Sequence, residues 1–152
     1  GGKLSEGLFK GETINTPSML CVEDYLDTLA WAKSVGGLPG LIERVNRNAN
    51  IVEGWVRQTA WVDYVAREDA NRSTTSVCLS IIDDWFTKLS AEEGRAVGKR
   101  LEAILAAEGA AYDIGSHRDA PTGLRIWCGS TVEESDLKAL MPWLEWGYQE
   151  VS

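Results

Sequence analysis

Two short stretches of this chain hold side chains of the right type, at the right spacing, to grip an anion. The first is Gly11-Glu12-Thr13-Ile14-Asn15-Thr16-Pro17-Ser18-Met19, a polar, turn-prone run that meets an apolar periodic segment. Thr16 suits an N-cap and Pro17 the first helical position, where a missing N–H costs nothing. That alone predicts a helix start. Amide and hydroxyl donors at a helix N-terminus can also hold a phosphate. The second stretch runs from Gly115 to Gly129 and contains His117, Arg118 and Arg125. Alternation places Leu124, Ile126 and Cys128 on one sheet face and Arg125 on the other. An arginine between apolar strand residues sits on a stiff base, and its planar fork matches a carboxylate. The competing reading is an ordinary salt bridge to one of the 23 acidic residues. His117, the one histidine of the chain, reads equally well as an exposed loop residue.

The elements that must carry these stretches follow from periodicity. A first helix is expected from Pro17 to about Ser34, with Met19, Val22, Leu26 and Leu29 in one apolar stripe and Gly36-Gly37 ending it. A second runs from about Pro39 to Arg57, with Leu41, Ile42, Val45, Ala49, Val52 and Val56 inward. Arg44, Arg47 and Asn48 fall on its other side, as a solvated face. Strands are expected at Trp61–Val65 and Thr75–Ile82, the latter alternating Val77, Leu79 and Ile81 against Ser76, Cys78 and Ser80. Ser90-Ala91-Glu92-Glu93 is a capping box opening a helix that Gly109 stops. A short strand from Ala111 to Ile114, another from Leu124 to Cys128, and a last helix opened by Thr131-Val132-Glu133-Glu134 complete the order. The last helix turns Leu137, Leu140, Met141, Leu144, Tyr148 and Val151 inward, with Trp143 and Trp146 packing at its edges. The fold class is α+β, a mixed and mostly antiparallel sheet with helices on one face.

Composition narrows the function. At 152 residues the chain can bury roughly 70% of its unfolded surface in one core. A net charge of −8 argues against a nucleic-acid partner, which calls for a basic face. No apolar run approaches the about 18 residues of a membrane span, and no signal-peptide pattern is present. Cys21, Cys78 and Cys128 lack metal-ligand spacing and read as small apolar residues in a reducing cytoplasm. The opening on Gly1-Gly2 without an initiating Met fits a cloning remnant, a processed product or a fragment.

The run Phe9-Lys10-Gly11-Glu12-Thr13-Ile14-Asn15-Thr16-Pro17-Ser18-Met19 resembles the segment of phosphoserine aminotransferases that enters the helix between their two domains. Asn71-Arg72-Ser73 and Gly123-Leu124-Arg125-Ile126 match in the same order, so the likeness covers about Phe9 to Val151. These are fold-type I enzymes dependent on pyridoxal 5'-phosphate. The resemblance implies that Asn15 and Thr16 reach the cofactor phosphate of the neighbouring subunit in a homodimer. It makes Arg125 the clamp for the substrate α-carboxylate, and His117 with Arg118 contacts for the substrate phosphate. The implied reaction moves an amino group between glutamate and 3-phosphohydroxypyruvate in serine biosynthesis. The Schiff-base lysine is expected upstream of Gly1, since Lys10 lacks the surroundings of that motif, and the chain alone is then inactive. The implied organisation is residues 1–16 as a cofactor-phosphate loop, 17–37 as an interdomain helix and 38–152 as the C-terminal small domain. Two other readings stand beside it. One is a free-standing interaction module, which would not expose the apolar stripe of the first helix. The other is an aminotransferase of the same fold with a different substrate, such as alanine–glyoxylate.

Overall fold

A computed structural model of the chain describes residues 2, 4–13 and 15–152. Ile14, inside the Asn-Thr run, lies outside the described residues. Two compact units divide the chain, Gly1–Leu41 and Ile42–Ser152.

The first unit holds a 3-10 turn, Glu6–Lys10, and helix α1, Met19–Ser34. The helix begins two residues later than expected from Pro17. Ser18 is its N-cap, and its hydroxyl accepts from the Cys21 N–H at 3.4 Å, so serine rather than Thr16 satisfies the orphan donor. Met19, Leu20, Val22, Tyr25, Leu26 and Leu29 of α1 are all exposed. Gly36 closes the helix at a φ of 101°, a left-handed conformation that glycine adopts without strain. Helix α2, Gly37–Val56, follows at once, its first turn still in this unit.

The second unit is an α+β layer. Strands β1 (Val62–Tyr64), β2 (Ser76–Ile81) and β3 (Gly123–Trp127) form a sheet in the order β1-β2-β3. Both pairings are antiparallel, with Val62 opposite Ile81 and Cys78 opposite Arg125. The alternation predicted for β2 holds: Val77, Leu79 and Ile81 are buried and Cys78 is exposed. Leu124, Ile126 and Cys128 continue the inner face along β3. Against that face pack Val52 and Val56 of α2, Leu101 and Leu105 of α4 (Ala91–Ala107), and Leu137, Met141, Leu144 and Tyr148 of α5 (Glu134–Val151). Each such side chain contributes about 1.5–3 kcal/mol when fully buried. Gly147 lets α4 and α5 approach, because a Cβ there would stand 2.9 Å from Leu101 Cδ1.

Polar groups staple this core. Glu145 accepts from Trp55 Nε1 at 2.7 Å, the Thr59 hydroxyl at 3.0 Å and Trp61 Nε1 at 3.0 Å. The Tyr148 hydroxyl donates to Asp83 at 2.7 Å and accepts from Trp85 Nε1 at 2.8 Å. Burial, reinforced by the Asp83 carboxylate, pushes that phenol up to about 12. Asp83 precedes α3, Asp84–Thr87, a single turn too short for periodicity to announce.

Four expectations need correction. Ala111–Ile114 is not a strand: Asp113 sits at a φ of 50°, which breaks the extended run and leaves one bridge, Gly115 to Leu124. Helix α5 opens at Glu134 with Glu133 as its N-cap residue and no side-chain cap, so the expected Thr131, three residues before the first helical position, does not cap it; the Glu133 carboxylate instead accepts from Arg44 at 2.5 Å. Arg44 and Asn48 are not a solvated face, although Arg47 between them is exposed as expected. Arg44 also donates to the Ser130 carbonyl at 2.7 Å, and Arg47 to Glu134 at 2.7 Å, holding that carboxyl below its usual range. Asn48 is 1% exposed and donates to the carbonyls of Val132 (2.9 Å), Gly129 (3.1 Å) and Cys128 (3.4 Å). Finally, Ile42, expected inward on α2, is exposed, whereas Cys78 is exposed and Cys128 buried as the strand alternation predicts. The Ser90–Glu93 capping box of α4 is present as expected.

Candidate functional site

The sheet has one filled face and one open face, and Arg125 lies on the open side. Gly123 allows β3 to lie close against β2, since a Cβ there would fall on the Leu79 carbonyl oxygen. Two residues on, Arg125 projects from the open face, opposite Cys78, with Trp127 beyond it opposite Ser76. The Arg125 side chain is 37% exposed, and its Nη2 meets Asp113 Oδ2 at 3.0 Å. Its backbone is fixed as well, the Arg125 N–H donating to the Ile114 carbonyl at 2.8 Å. An open cavity of about 570 Å³ lies here. Arg125, Ile126 and Trp127 line it together with the Ala110–Ile114 segment and with Asp136, Leu137 and Leu140 of α5. A guanidinium fork on a rigid strand, facing a largely apolar hollow, can bind and orient a carboxylate.

His117 and Arg118 line a different depression, of about 330 Å³. The His117 Nδ1 accepts from the Asp119 N–H at 3.3 Å, and Arg118 Nε meets Asp119 Oδ2 at 3.3 Å. Both side chains are exposed. Arg95 and Lys99 of α4 line the same depression, with Glu102 as its one lining carboxylate. Such a cluster of cations, in a chain with a net charge of −8, favours a phosphate or another anion. Sequence reasoning missed Arg95 and Lys99, which stand four residues apart and look like ordinary solvated helix charges. The missing information is the path of the Gly115–Arg118 loop across them. Asn15 and Thr16 belong to the first unit and are exposed, ahead of the Ser18 cap. Among the described residues no cluster of His, Cys, Asp and Glu could hold a metal ion.

No family model matches the chain. Phosphoserine aminotransferases of Methanosarcina mazei and Methanosarcina barkeri are each 50% identical to it over 151 residues, 99% of this chain. The chain belongs to the phosphoserine aminotransferase family. It spans 38% of the length of these curated relatives. The fold agrees: a phosphoserine aminotransferase from Bacillus circulans subsp. alkalophilus superposes on 91% of the chain, and on 35% of its own, with a TM-score of 0.70 at 18% identity. The α+β layer described here is therefore part of the phosphoserine aminotransferase fold. Among the described residues no helix is long and apolar enough to cross a membrane.

Proposed function

We propose that this chain is the C-terminal part of a pyridoxal-phosphate-dependent phosphoserine aminotransferase that moves an amino group between glutamate and 3-phosphohydroxypyruvate. The observation that carries the proposal is Arg125: a half-exposed guanidinium on the open face of a stiff strand, beside a cavity, in a chain half identical to the Methanosarcina enzymes. Arg125 binds and orients the substrate α-carboxylate. His117 and Arg118, with Arg95 and Lys99 beside them, hold the substrate phosphate.

The residues present fit one end of the cofactor. The Asn15 amide and Thr16 hydroxyl are exposed donors of the type that suits a phosphate, and they serve the neighbouring subunit of a homodimer. When bound, pyridoxal phosphate supplies the electron sink for amino transfer. Among the described residues we assign no lysine to the Schiff-base position. Lys10 has an exposed side chain, 3.9 Å from Glu6, in no protected pocket. The lysine therefore belongs to an upstream large domain, residues 17–37 form the link to it, and the chain alone is inactive. The exposed α1 stripe supports this reading over a free-standing module. The setting is the cytoplasm.

The test is a chimera that places this chain behind the remainder of the Methanosarcina mazei enzyme. Phosphoserine is the expected amino donor, with alanine at least about 100-fold poorer in kcat/KM, an approximately 3 kcal/mol discrimination. A chimera that prefers alanine, or transaminase activity in the isolated chain, would overturn the proposal.

A further inference from the structure

We infer that Asp113 is a built-in stand-in for the substrate carboxylate: it occupies the Arg125 fork in the empty site and is displaced when substrate arrives. The inference rests on the reading of Arg125 as the carboxylate clamp. Asp113 Oδ2 lies 3.0 Å from Arg125 Nη2, yet its side chain remains 87% exposed. An ion pair that open to water is worth at most about 1 kcal/mol, so a better-placed carboxylate removes it easily.

The backbone presents this carboxylate deliberately. Ala110 and Ala111 both donate their N–H to the Leu105 carbonyl, at 2.9 and 3.3 Å, and Ile114 accepts from the Arg125 N–H at 2.8 Å. The segment is thus pinned at both ends, with Asp113 between them in the left-handed region, the one non-glycine there among the described residues. Such a conformation persists where its surroundings over-determine it. Asp113 and Arg125 also line the same cavity, so the carboxylate lies on the path of any anion reaching the fork from that side. Substrate binding is then an exchange of one carboxylate for another, and the guanidinium is never left without an anion. The opposite role, a brace that holds Arg125 in place for substrate, predicts the opposite sign on mutation.

Asp113→Asn removes the charge and keeps a residue type that tolerates a positive φ. In the chimera described above, the KM for glutamate should fall about two- to fivefold with kcat unchanged, the factor that corresponds to the strength of an exposed pair. Asp113→Gly, at ease in the same backbone conformation, should do the same. An unchanged or raised KM in both variants would overturn the inference. Arg125→Gln should raise the KM and abolish the effect of Asp113→Asn. If Arg125→Gln leaves the glutamate KM as it was, the clamp itself is refuted, whatever Asp113 does. Guanidinium NMR on the 152-residue chain gives a readout without turnover: glutarate should shift the Arg125 signals at lower concentration in Asp113→Asn, and equal or higher concentration counts against the exchange.

Discussion

Replacing Asn48 by alanine probes the joint on which the site stands. The Asn48 amide reaches the carbonyls of Val132 at 2.9 Å, Gly129 at 3.1 Å and Cys128 at 3.4 Å. An amide has two hydrogens, so two of these are full bonds and the longest is shared. Each bond contributes about 1 kcal/mol net, and an orphaned buried carbonyl adds about 1 kcal/mol or more. At 1% exposure water does not reach Asn48 to repair the loss, although the Val132 carbonyl lies nearer the surface. The expected destabilisation of Asn48→Ala is about 2–3 kcal/mol, or roughly 4–12 °C in Tm for a domain of this size. Urea unfolding followed by circular dichroism should show a lower midpoint at unchanged m-value. Asn48→Asp should be worse, since a carboxylate faces three carbonyl oxygens, and part of its loss should be recovered as pH falls and the group protonates. A loss below about 0.5 kcal/mol for Asn48→Ala would show that the turn after β3 is held by something else.

Two further outcomes concern titration. Tyr148, pushed up to about 12, keeps its proton in the fold while an unfolded tyrosine loses its proton near 10. Its contribution is therefore complete below pH 10 and declines between pH 10 and about 12; Tyr148→Phe should flatten that decline in alkaline unfolding curves, and an unaltered slope would contradict it. Cys128 is fully buried and its thiol is pushed up to about 11, whereas Cys21 and Cys78 are exposed. Iodoacetamide at neutral pH should modify those two in the native chain and Cys128 only after denaturation, as read by mass spectrometry; equal labelling of all three would mean the inner sheet face opens.

Local rules carried far along this chain where the deciding atoms are close in sequence. The Ser90–Glu93 box and the β2 alternation need only neighbours three or two residues away, and both read correctly. Arg125 was assigned to the open face for the same reason. Asn48 was misread because its partners come from a turn eighty and more positions later, and a helical wheel carries no record of them. The strand expected at Ala111–Ile114 failed on one backbone angle, at Asp113, a residue type that enters left-handed conformations readily. Ser18 displaced Thr16 as the cap because both are suitable residues two positions apart, and only the hydrogen bond to Cys21 decides between them. Arg95 and Lys99 joined His117 and Arg118 through the course of a loop that no periodicity encodes.

The Trp61 and Tyr148 rings lie parallel, 4.0 Å apart and 4° from coplanar orientation, while the Trp61 and Trp55 indoles both donate to one carboxylate. Chromophores held so rigidly should give a strong near-ultraviolet dichroic band, with the stacked Trp61 quenched among the seven tryptophans of the chain. The chain thus carries its own optical gauge of whether the β1–α5 seam is shut, readable with no cofactor, substrate or label added.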